Sequence, residues 1–150
     1  MTTQSLPATT KTSITISLDS LASGTYVASG GYDVSAIDPY DILIEVAVVL
    51  TATATSVNKR LQVFIQTSLD NSNYSTGPTS GTTTTDEPDL MKLGDVPCNV
   101  VSTTHRRLFS VFTALGYVPP YFKVVCHNDL GTALSTGCTV HYSTVTGNSV

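Results

Sequence analysis

The residues of this sequence that could bind a metal ion are concentrated in its last quarter. They are Cys126, His127, Cys138 and His141, with His105 further upstream. Thiolate and imidazole groups are ligands that zinc prefers, and a structural zinc site needs four of them converging on one point. Because neighbours on a β-strand point to opposite faces, Cys126 diverges from His127, and Cys138 from His141. We therefore expect no metal site, with the thiols in the core and the imidazoles facing outward.

Carboxylates occur in three groups that could do chemistry. The first could supply the acid and base of a glycoside hydrolase, and the other two could offer oxygen ligands to calcium. The groups are Asp33, Asp38, Asp41 and Glu45; Asp86, Glu87 and Asp89; and Asp70 with Asn71 and Asn73. Neither calcium candidate has the glycine and spacing of a known calcium loop. We expect the aspartates to cap turns, and Glu45 to lie at the solvated edge of a strand or in a subunit contact.

The remaining catalytic signatures are missing from the sequence. There is no Gly-x-Ser-x-Gly elbow, no P-loop and no Gly-x-Gly-x-x-Gly, and Ser-His-Asp combinations arise by chance in a serine-rich chain. We predict that the protein is not an enzyme, with no catalytic, cofactor-binding or metal-binding residues and no cofactor.

Exposed aromatic residues leave carbohydrate binding open as an alternative. Tyr32, Tyr40 and Tyr74 could lie in loops at one end of a β-sandwich, although the chain has no Trp for a sugar to stack on. Tyrosines in such loops more often serve as packing lids.

The stretch from Asp41 to Gln66 predicts two strands, interpreted as a hairpin. From Ile42 to Leu50 both alternating positions are apolar, which indicates a strand central to one sheet or covered on its outer face by a neighbouring subunit. From Leu61 to Gln66 the residues alternate, which favours a strand half exposed on one side. A second hairpin is predicted from Tyr121–His127 and Cys138–Thr144, with Cys126 and Cys138 facing inward.

Short predicted strands and frequent turns fill the rest of the chain. Further strands are expected at Ser13–Leu18, Tyr26–Val27, Val34–Ile37, Val100–Ser102 and Arg107–Phe112, with a helix over Thr104–Leu115 as the rival to the last. About eight short strands with turn signals every 8 to 12 residues are typical of an all-β antiparallel sandwich, jelly roll or barrel. We predict a flexible N-terminal arm over residues 1–12, a single β-sandwich domain over 13–150, and a long surface loop from Gly77 to Pro88.

Composition restricts the partners. Charged residues make up 12% of the chain, about half of the ~25% usual for soluble domains, and the net charge is −4. Seven Lys and Arg without a cluster argue against nucleic-acid binding. No apolar run approaches the 18 residues of a membrane span, and the N-terminus does not resemble a signal peptide. We expect assembly in a cytoplasm, with the three cysteines, an odd number, reduced and mostly buried.

Two segments resemble small virion proteins of tailed bacteriophages. The first is RLQVFIQTSLDNSNYST, similar to a strand end of the form V-x-[IL]-x-x-S-x-D-[GN] followed by Tyr; here Asp70-Asn71 stands where Asp-Gly is common. The second is PPYFKVVCHNDLGTALSTGCTVHYSTV, similar to the final strands of the same proteins.

The resemblance implies a capsid decoration (cement) protein with a jelly-roll-like fold, commonly a homotrimer, bound to the major capsid protein on the virion surface. No catalytic residue comes with it. We expect residues 1–12 and Gly77–Pro88 to reach the lattice. The alternatives are a head-fibre, tail or baseplate module, or a carbohydrate-binding module.

Overall fold

The computed structural model describes residues 10–82 and 86–147. The described chain is almost entirely β-structure, with one 3-10 turn at Glu87–Asp89 and a short helix α1 at Val111–Leu115. The strands are β1 (Thr12–Ile14), β2 (Tyr26–Ala28), β3 (Tyr32–Asp33), β4 (Asp41–Leu50), β5 (Arg60–Ser68), β6 (Ser80–Gly81), β7 (Met91–Pro97), β8 (Thr103–Ser110), β9 (Tyr121–Asp129) and β10 (Thr139–Val145). No described helix is long and apolar enough to cross a membrane.

The strands form two antiparallel sheets that pack face to face. The four-stranded sheet has the order β1-β10-β4-β8. The six-stranded sheet has the order β6-β2-β9-β5-β7, with β3 also paired to β9. The prediction of an all-β antiparallel sandwich is confirmed.

The core is built by the inward positions of the longest strands. On β4 these positions are Ile42, Ile44, Val46, Val48 and Leu50, none of which is exposed to solvent. They face Leu61, Val63 and Ile65 of β5 and Phe122, Val124 and Cys126 of β9 in one continuous cluster. Strand β4 lies between β10 and β8, so the prediction that it is central to one sheet is confirmed.

Both predicted hairpins are wrong, because each pair of strands is divided between the two sheets. Strand β4 pairs with β10 and β8, whereas β5 pairs with β7 and β9. The connection from β4 to β5 crosses from one sheet to the other, and the amides of Thr55 and Ser56 in it donate to the carbonyl of Leu130 at 2.8 and 2.9 Å. Strands β9 and β10 are divided in the same way.

The pairing of the main strands is nested along the chain. Strand β1 pairs with β10, β2 with β9, β4 with β8, and β5 with β7. Only the innermost of these pairs joins segments close in sequence. Such a pattern arises when one long antiparallel ribbon is rolled into two layers, so most contacts in the fold are long-range.

The outer face of the six-stranded sheet is covered by the chain's own residues. Tyr26, Phe64, Leu90 and Val125 form a second, smaller apolar cluster there. The segment from Thr76 to Leu90 brings Leu90 over the sheet, and the Tyr26 hydroxyl donates to Glu87 at 2.5 Å. The prediction that the strand Leu61–Gln66 is half exposed is therefore wrong.

The predicted loop Gly77–Pro88 is part of this cover rather than a free surface loop. Pro78 is buried, Ser80–Gly81 pairs with β2 as β6, and the 3-10 turn follows. Residues 83–85 of the predicted loop lie outside the described residues.

Other boundaries also differ from those predicted. The first strand begins at Thr12, inside the predicted arm, and ends at Ile14 instead of Leu18; residues 1–9 of that arm lie outside the described residues. Residues 35–37 form a turn instead of a strand. The strand predicted at Val100–Ser102 is not formed there, and β8 begins at Thr103. Strand and helix share the segment 103–115, because Ser110 caps α1 by accepting from the Thr113 amide at 3.0 Å.

Candidate functional surfaces

The structure separates the four residues of the zinc candidate. Cys126 is fully buried in the core, and Cys138 is half-buried, 3.3 Å from the amide of Val49. His127 and His141 lie on the outer faces of different sheets. Among the described residues, no group of three or more His, Cys, Asp or Glu side chains is arranged to hold a metal ion.

The three thiols are free, as predicted. Burial raises the pKa of Cys98 to about 11 and that of Cys126 to about 12, and it raises the pKa of Cys138 as well. A thiol held in its protonated form is a poor nucleophile and a poor ligand. These residues are core side chains.

His127 is held against the six-stranded sheet by stacking. Its ring lies 4.2 Å from that of Tyr26, and its Nδ1 is 2.7 Å from Oε1 of Gln62. Burial lowers the pKa of His127, so the ring is neutral near pH 7. The Tyr26 pKa is raised, first by burial and then by its hydrogen bond to Glu87. The contacts of Tyr26 with His127 and Glu87 hold the residues around Glu87 against the six-stranded sheet.

In the first group of carboxylates Asp33 caps a turn, as predicted, whereas Asp41 binds residues that are distant in sequence. Asp33 accepts from the amide and hydroxyl of Ser35, at 2.9 and 2.7 Å. Asp41 accepts from the Ser110 hydroxyl at 2.6 Å and from the Phe112 amide at 2.8 Å, which ties β4 to the start of α1.

Glu45 is not at a strand edge; it lies mid-strand on the outer face of the four-stranded sheet. It pairs with Lys11 and lies 3.6 Å from a guanidinium nitrogen of Arg106 and 4.0 Å from Nδ1 of His141. The Lys11 hydrogen bond is the main reason that the pKa of Glu45 is lowered. Two permanent cations therefore surround one carboxylate, which leaves this patch with a positive charge on a chain whose net charge is −4.

Asp70 organises the loop that follows β5. Its Oδ1 accepts from the amides of Ser72 and Asn73 and from the Ser68 hydroxyl, at 2.9, 2.8 and 2.9 Å. Its Oδ2 accepts from Nδ2 of Asn73 at 2.7 Å. These bonds, chiefly those from Asn73, lower the pKa of Asp70, so its carboxylate is ionised at neutral pH. The predicted turn chemistry is confirmed here, and it is dense enough to make the loop rigid.

The other side of this loop is anchored to β2–β3 and to β9. The Tyr74 hydroxyl donates to Oδ1 of Asn71 at 2.5 Å, and Nζ of Lys123 lies 4.1 Å from the centre of the Tyr74 ring. A Cβ at Gly31 would overlap the Tyr74 hydroxyl, so this close approach requires glycine at position 31.

An open groove of about 670 Å³ lies between this loop and the connection from α1 to β9. One wall carries Asp70 and Asn73, and the opposite wall carries Tyr117 and Pro119. The hydroxyl of Tyr117 lies 3.4 Å from Oγ1 of Thr67 at the end of β5. Aromatic and polar groups therefore face one another across a concave surface.

The three tyrosines considered for sugar binding, Tyr32, Tyr40 and Tyr74, do not lie together in the structure. Tyr32 packs inside, with its ring 5.7 Å from that of Phe122 and 5.5 Å from that of Tyr142. Tyr40 is 72% exposed, and Tyr74 lines the groove. Packing explains Tyr32 fully.

A group of exposed side chains lies on β8, the edge strand of the four-stranded sheet, and in the residues just before and after it. We call it the β8 surface; it comprises Val100, Val101, Arg106, Leu108 and Phe112. Four of the nine exposed large hydrophobic side chains of the described residues fall within these thirteen positions.

Leu108 is the apolar residue of this surface that lies on β8 itself. It is 59% exposed and pairs across the sheet with Glu45, and the half-buried Leu43 and Val49 of β4 lie on the same outer face. No described segment covers this face in the way that Leu90 covers the other sheet.

The sequence patterns do not indicate a functional role for Tyr117, Pro119 or Leu108. Gly116 and the pair Pro119-Pro120 indicate a break in the chain, but nothing in the sequence shows that this break faces the Asp70 loop. The alternation over Arg107–Phe112 was also visible, but it does not show which face is left open to solvent.

Comparison of the chain with family models, with curated proteins and with solved structures found no match in any of the three.

Proposed function

We propose that this chain is a structural virion protein, not an enzyme, that binds and stabilises the capsid lattice of a tailed bacteriophage as a decoration protein. The observation that carries the proposal is the β8 surface. Leu108 lies on an edge strand and the other apolar residues flank that strand in the chain; unpaired backbone groups and exposed side chains together favour contact with another chain.

The electrostatics of the same face support a protein partner. Arg106 and Lys11 leave the outer face of the four-stranded sheet locally positive around Glu45. Leu108 and Leu43 next to them supply apolar area. An apolar centre beside charged residues is the usual anatomy of a protein–protein contact, and a weak contact gains strength when many copies bind one lattice.

The nested strand pairing supports the fold that the resemblance implies. The outermost strands β1 and β10 pair with each other, and the pairs β2–β9, β4–β8 and β5–β7 follow inward along the chain. We interpret this order as a jelly roll, in which two Greek keys form two sheets. A homotrimer and binding to the major capsid protein are part of the same proposal, as is a place on the outer surface of the virion.

Cosedimentation with heads that lack the protein tests the proposal. The wild-type chain is expected to bind saturably, and Leu108→Asp is expected to reduce the bound fraction at least tenfold, because a carboxylate would have to be buried in an apolar contact. Val57→Asp is the matched control: Val57 is 95% exposed in the crossing between the sheets and is not one of the residues of the β8 surface, and its variant is expected to bind like wild type.

Failure of the wild-type chain to bind heads would overturn the proposal, and binding to tails or baseplates instead would favour the alternative virion role. Wild-type binding by Leu108→Asp would remove the β8 surface from the account. Circular dichroism of each variant verifies that the fold is retained.

A further inference from the structure

The groove between the Asp70 loop and the α1–β9 connection is separate from the β8 surface and is built from different elements. Its volume of about 670 Å³ is within the ~300–1,000 Å³ range of small-molecule sites. Its lining combines the ring of Tyr117 and Pro119 with the polar groups of Thr67, Asp70 and Asn73. We propose that this groove binds a neutral sugar.

The groove exists before any ligand arrives, because its polar wall is fixed by internal hydrogen bonds. Asp70 holds Ser72 and Asn73 in place. Three hydrogen bonds tie Ser75 to β5: its amide donates to the Thr67 carbonyl at 2.9 Å, its hydroxyl accepts from the Thr67 amide at 3.1 Å, and its carbonyl accepts from Nε2 of Gln66 at 2.8 Å. A rigid site loses little conformational entropy on binding, so even a small ligand can be held.

The hydrogen-bonding capacity left on this wall matches sugar hydroxyls. Oδ2 of Asp70 accepts one bond, from Asn73, and can accept another. The Asn73 amide donates one of its two N–H groups to Asp70 and has its carbonyl oxygen free within the described contacts. A pair of sugar hydroxyls, each both donor and acceptor, can bond to these two side chains together. The apolar face of the sugar ring then stacks on the ring of Tyr117.

Local charge favours a neutral ligand over an ionic one. Asp70 is ionised, so its carboxylate repels phosphates and acidic ligands. A cationic ligand would compete with Lys123, which already lies over the Tyr74 ring next to the same loop. The groove therefore disfavours anions, and its polar groups and tyrosine rings suit a neutral ligand.

Titration of the ¹⁵N-labelled full chain with neutral saccharides tests this inference. The probes are a panel of oligosaccharides built from glucose, galactose, mannose and N-acetylglucosamine, observed by amide chemical shifts. At least one is expected to produce saturable shifts confined to the amides of Thr67, Asn73, Ser75 and Tyr117. Tyr117→Ala is expected to weaken that binding at least tenfold, and Asp70→Asn to weaken it as well.

Tyr40→Ala is the matched control, since Tyr40 is an exposed tyrosine outside the groove, and its variant is expected to bind like wild type. Tyr117→Phe keeps the ring and the fold, so retained binding by this variant assigns the ring as the stacking surface.

Absence of saturable shifts with the whole panel would overturn the inference. It would also be overturned by shifts that appear with arginine or inorganic phosphate and not with sugars, or by unchanged sugar binding in both Tyr117→Ala and Asp70→Asn. Each of these results is independent of whether the chain binds capsids.

Discussion

Asp70 shows how one side chain determines the shape of a functional loop. Four donors converge on its carboxylate, and the loop places Asn71 at a positive φ of 60°, a conformation that asparagine tolerates better than most residues. Asp70→Asn keeps the size of the side chain but loses the charge and one acceptor oxygen. The variant is therefore expected to melt at a lower temperature than wild type at pH 7.

The pH dependence of this difference has a definite sign. The pKa of Asp70 is lower in the folded chain than its unfolded value of about 3.9, so its stabilising contribution is complete above that value and is lost as pH falls through the folded pKa. The gap in Tm between wild type and Asp70→Asn is expected to be constant from pH 7 to pH 5 and to shrink below about pH 4. A gap that stays constant down to pH 2 would contradict the assignment.

The cysteines give a second prediction at this scale. Cys98 and Cys126 are inaccessible to solvent and have raised pKa values, whereas Cys138 is half-buried. Only Cys138 is expected to react with a thiol reagent in the folded chain, and slowly, with all three reacting in denaturant. Mass spectrometry of the labelled chain locates the modified residue. Rapid labelling of Cys126 under native conditions would contradict the packing of β9.

Residue types allowed the chemical role of single residues to be predicted, but not which other residues would surround them. Buried thiols, outward histidines and turn-capping aspartates follow from strand parity and hydrogen-bonding capacity, both of which are local. The groove was not predictable, because Tyr117 and Asp70 are separated by 46 intervening residues and meet only through the pairing of β5 with β9. The exposure of Leu108 was not predictable either, because it depends on whether another segment of the chain packs over the outer face of the sheet.

At the scale of elements, the positions of the long strands were predictable and their partners were not. Apolar alternation locates β4, β5, β9 and β10 because it reflects burial of each strand. Strand pairing depends on the connections, and the Thr51–Lys59 crossing contains Thr, Ser and Asn residues that suit a hairpin loop equally well. The carbonyl of Leu130, which receives the amides of Thr55 and Ser56, is distant in sequence and could not be inferred.

The two faces of β4 should respond differently to truncation. Ile44 is fully buried between the sheets, whereas the neighbouring Leu43 is half-buried on the outer face. Ile44→Ala is expected to lower the free energy of unfolding by about 2–5 kcal/mol, and Leu43→Ala by about 1 kcal/mol or less. Denaturant titration measures both. Equal losses would mean that the outer face of this sheet is covered, contrary to the structure.

The described residues of the covering segment, Thr76–Thr82 and Asp86–Leu90, have their own anchor. Leu90 packs with Tyr26, Phe64 and Val125, and a Cβ at Gly77 would overlap its side chain. Leu90→Ala is expected to increase the rate of proteolytic cleavage within this segment severalfold while leaving global unfolding two-state, because the anchor is lost and the main core is not.

Thr79→Ala is the control for Leu90→Ala, since Thr79 is exposed in the same segment, and it is expected to leave the cleavage rate unchanged. An unaltered cleavage rate in Leu90→Ala would show that Leu90 does not hold the segment.

On the scale of the whole molecule, the two sheets differ in how far the chain covers their outer faces. The six-stranded sheet has its outer face covered by residues from Thr76–Thr82 and Asp86–Leu90, whereas the four-stranded sheet presents Leu43, Val49 and Leu108 to solvent beside a positively charged patch. A chain that covers one face and leaves the other open has one side available for a partner. The groove shares no residue with the β8 surface, so substitutions can test sugar binding and docking separately.

Electron cryomicroscopy of phage heads mixed with the purified chain tests the central claim most directly. The account predicts added density on the outer surface of the heads that fits the sandwich, with the β8 surface buried against the capsid protein or against another copy of the chain. Heads without added density, or density in which the β8 surface faces solvent, would contradict it.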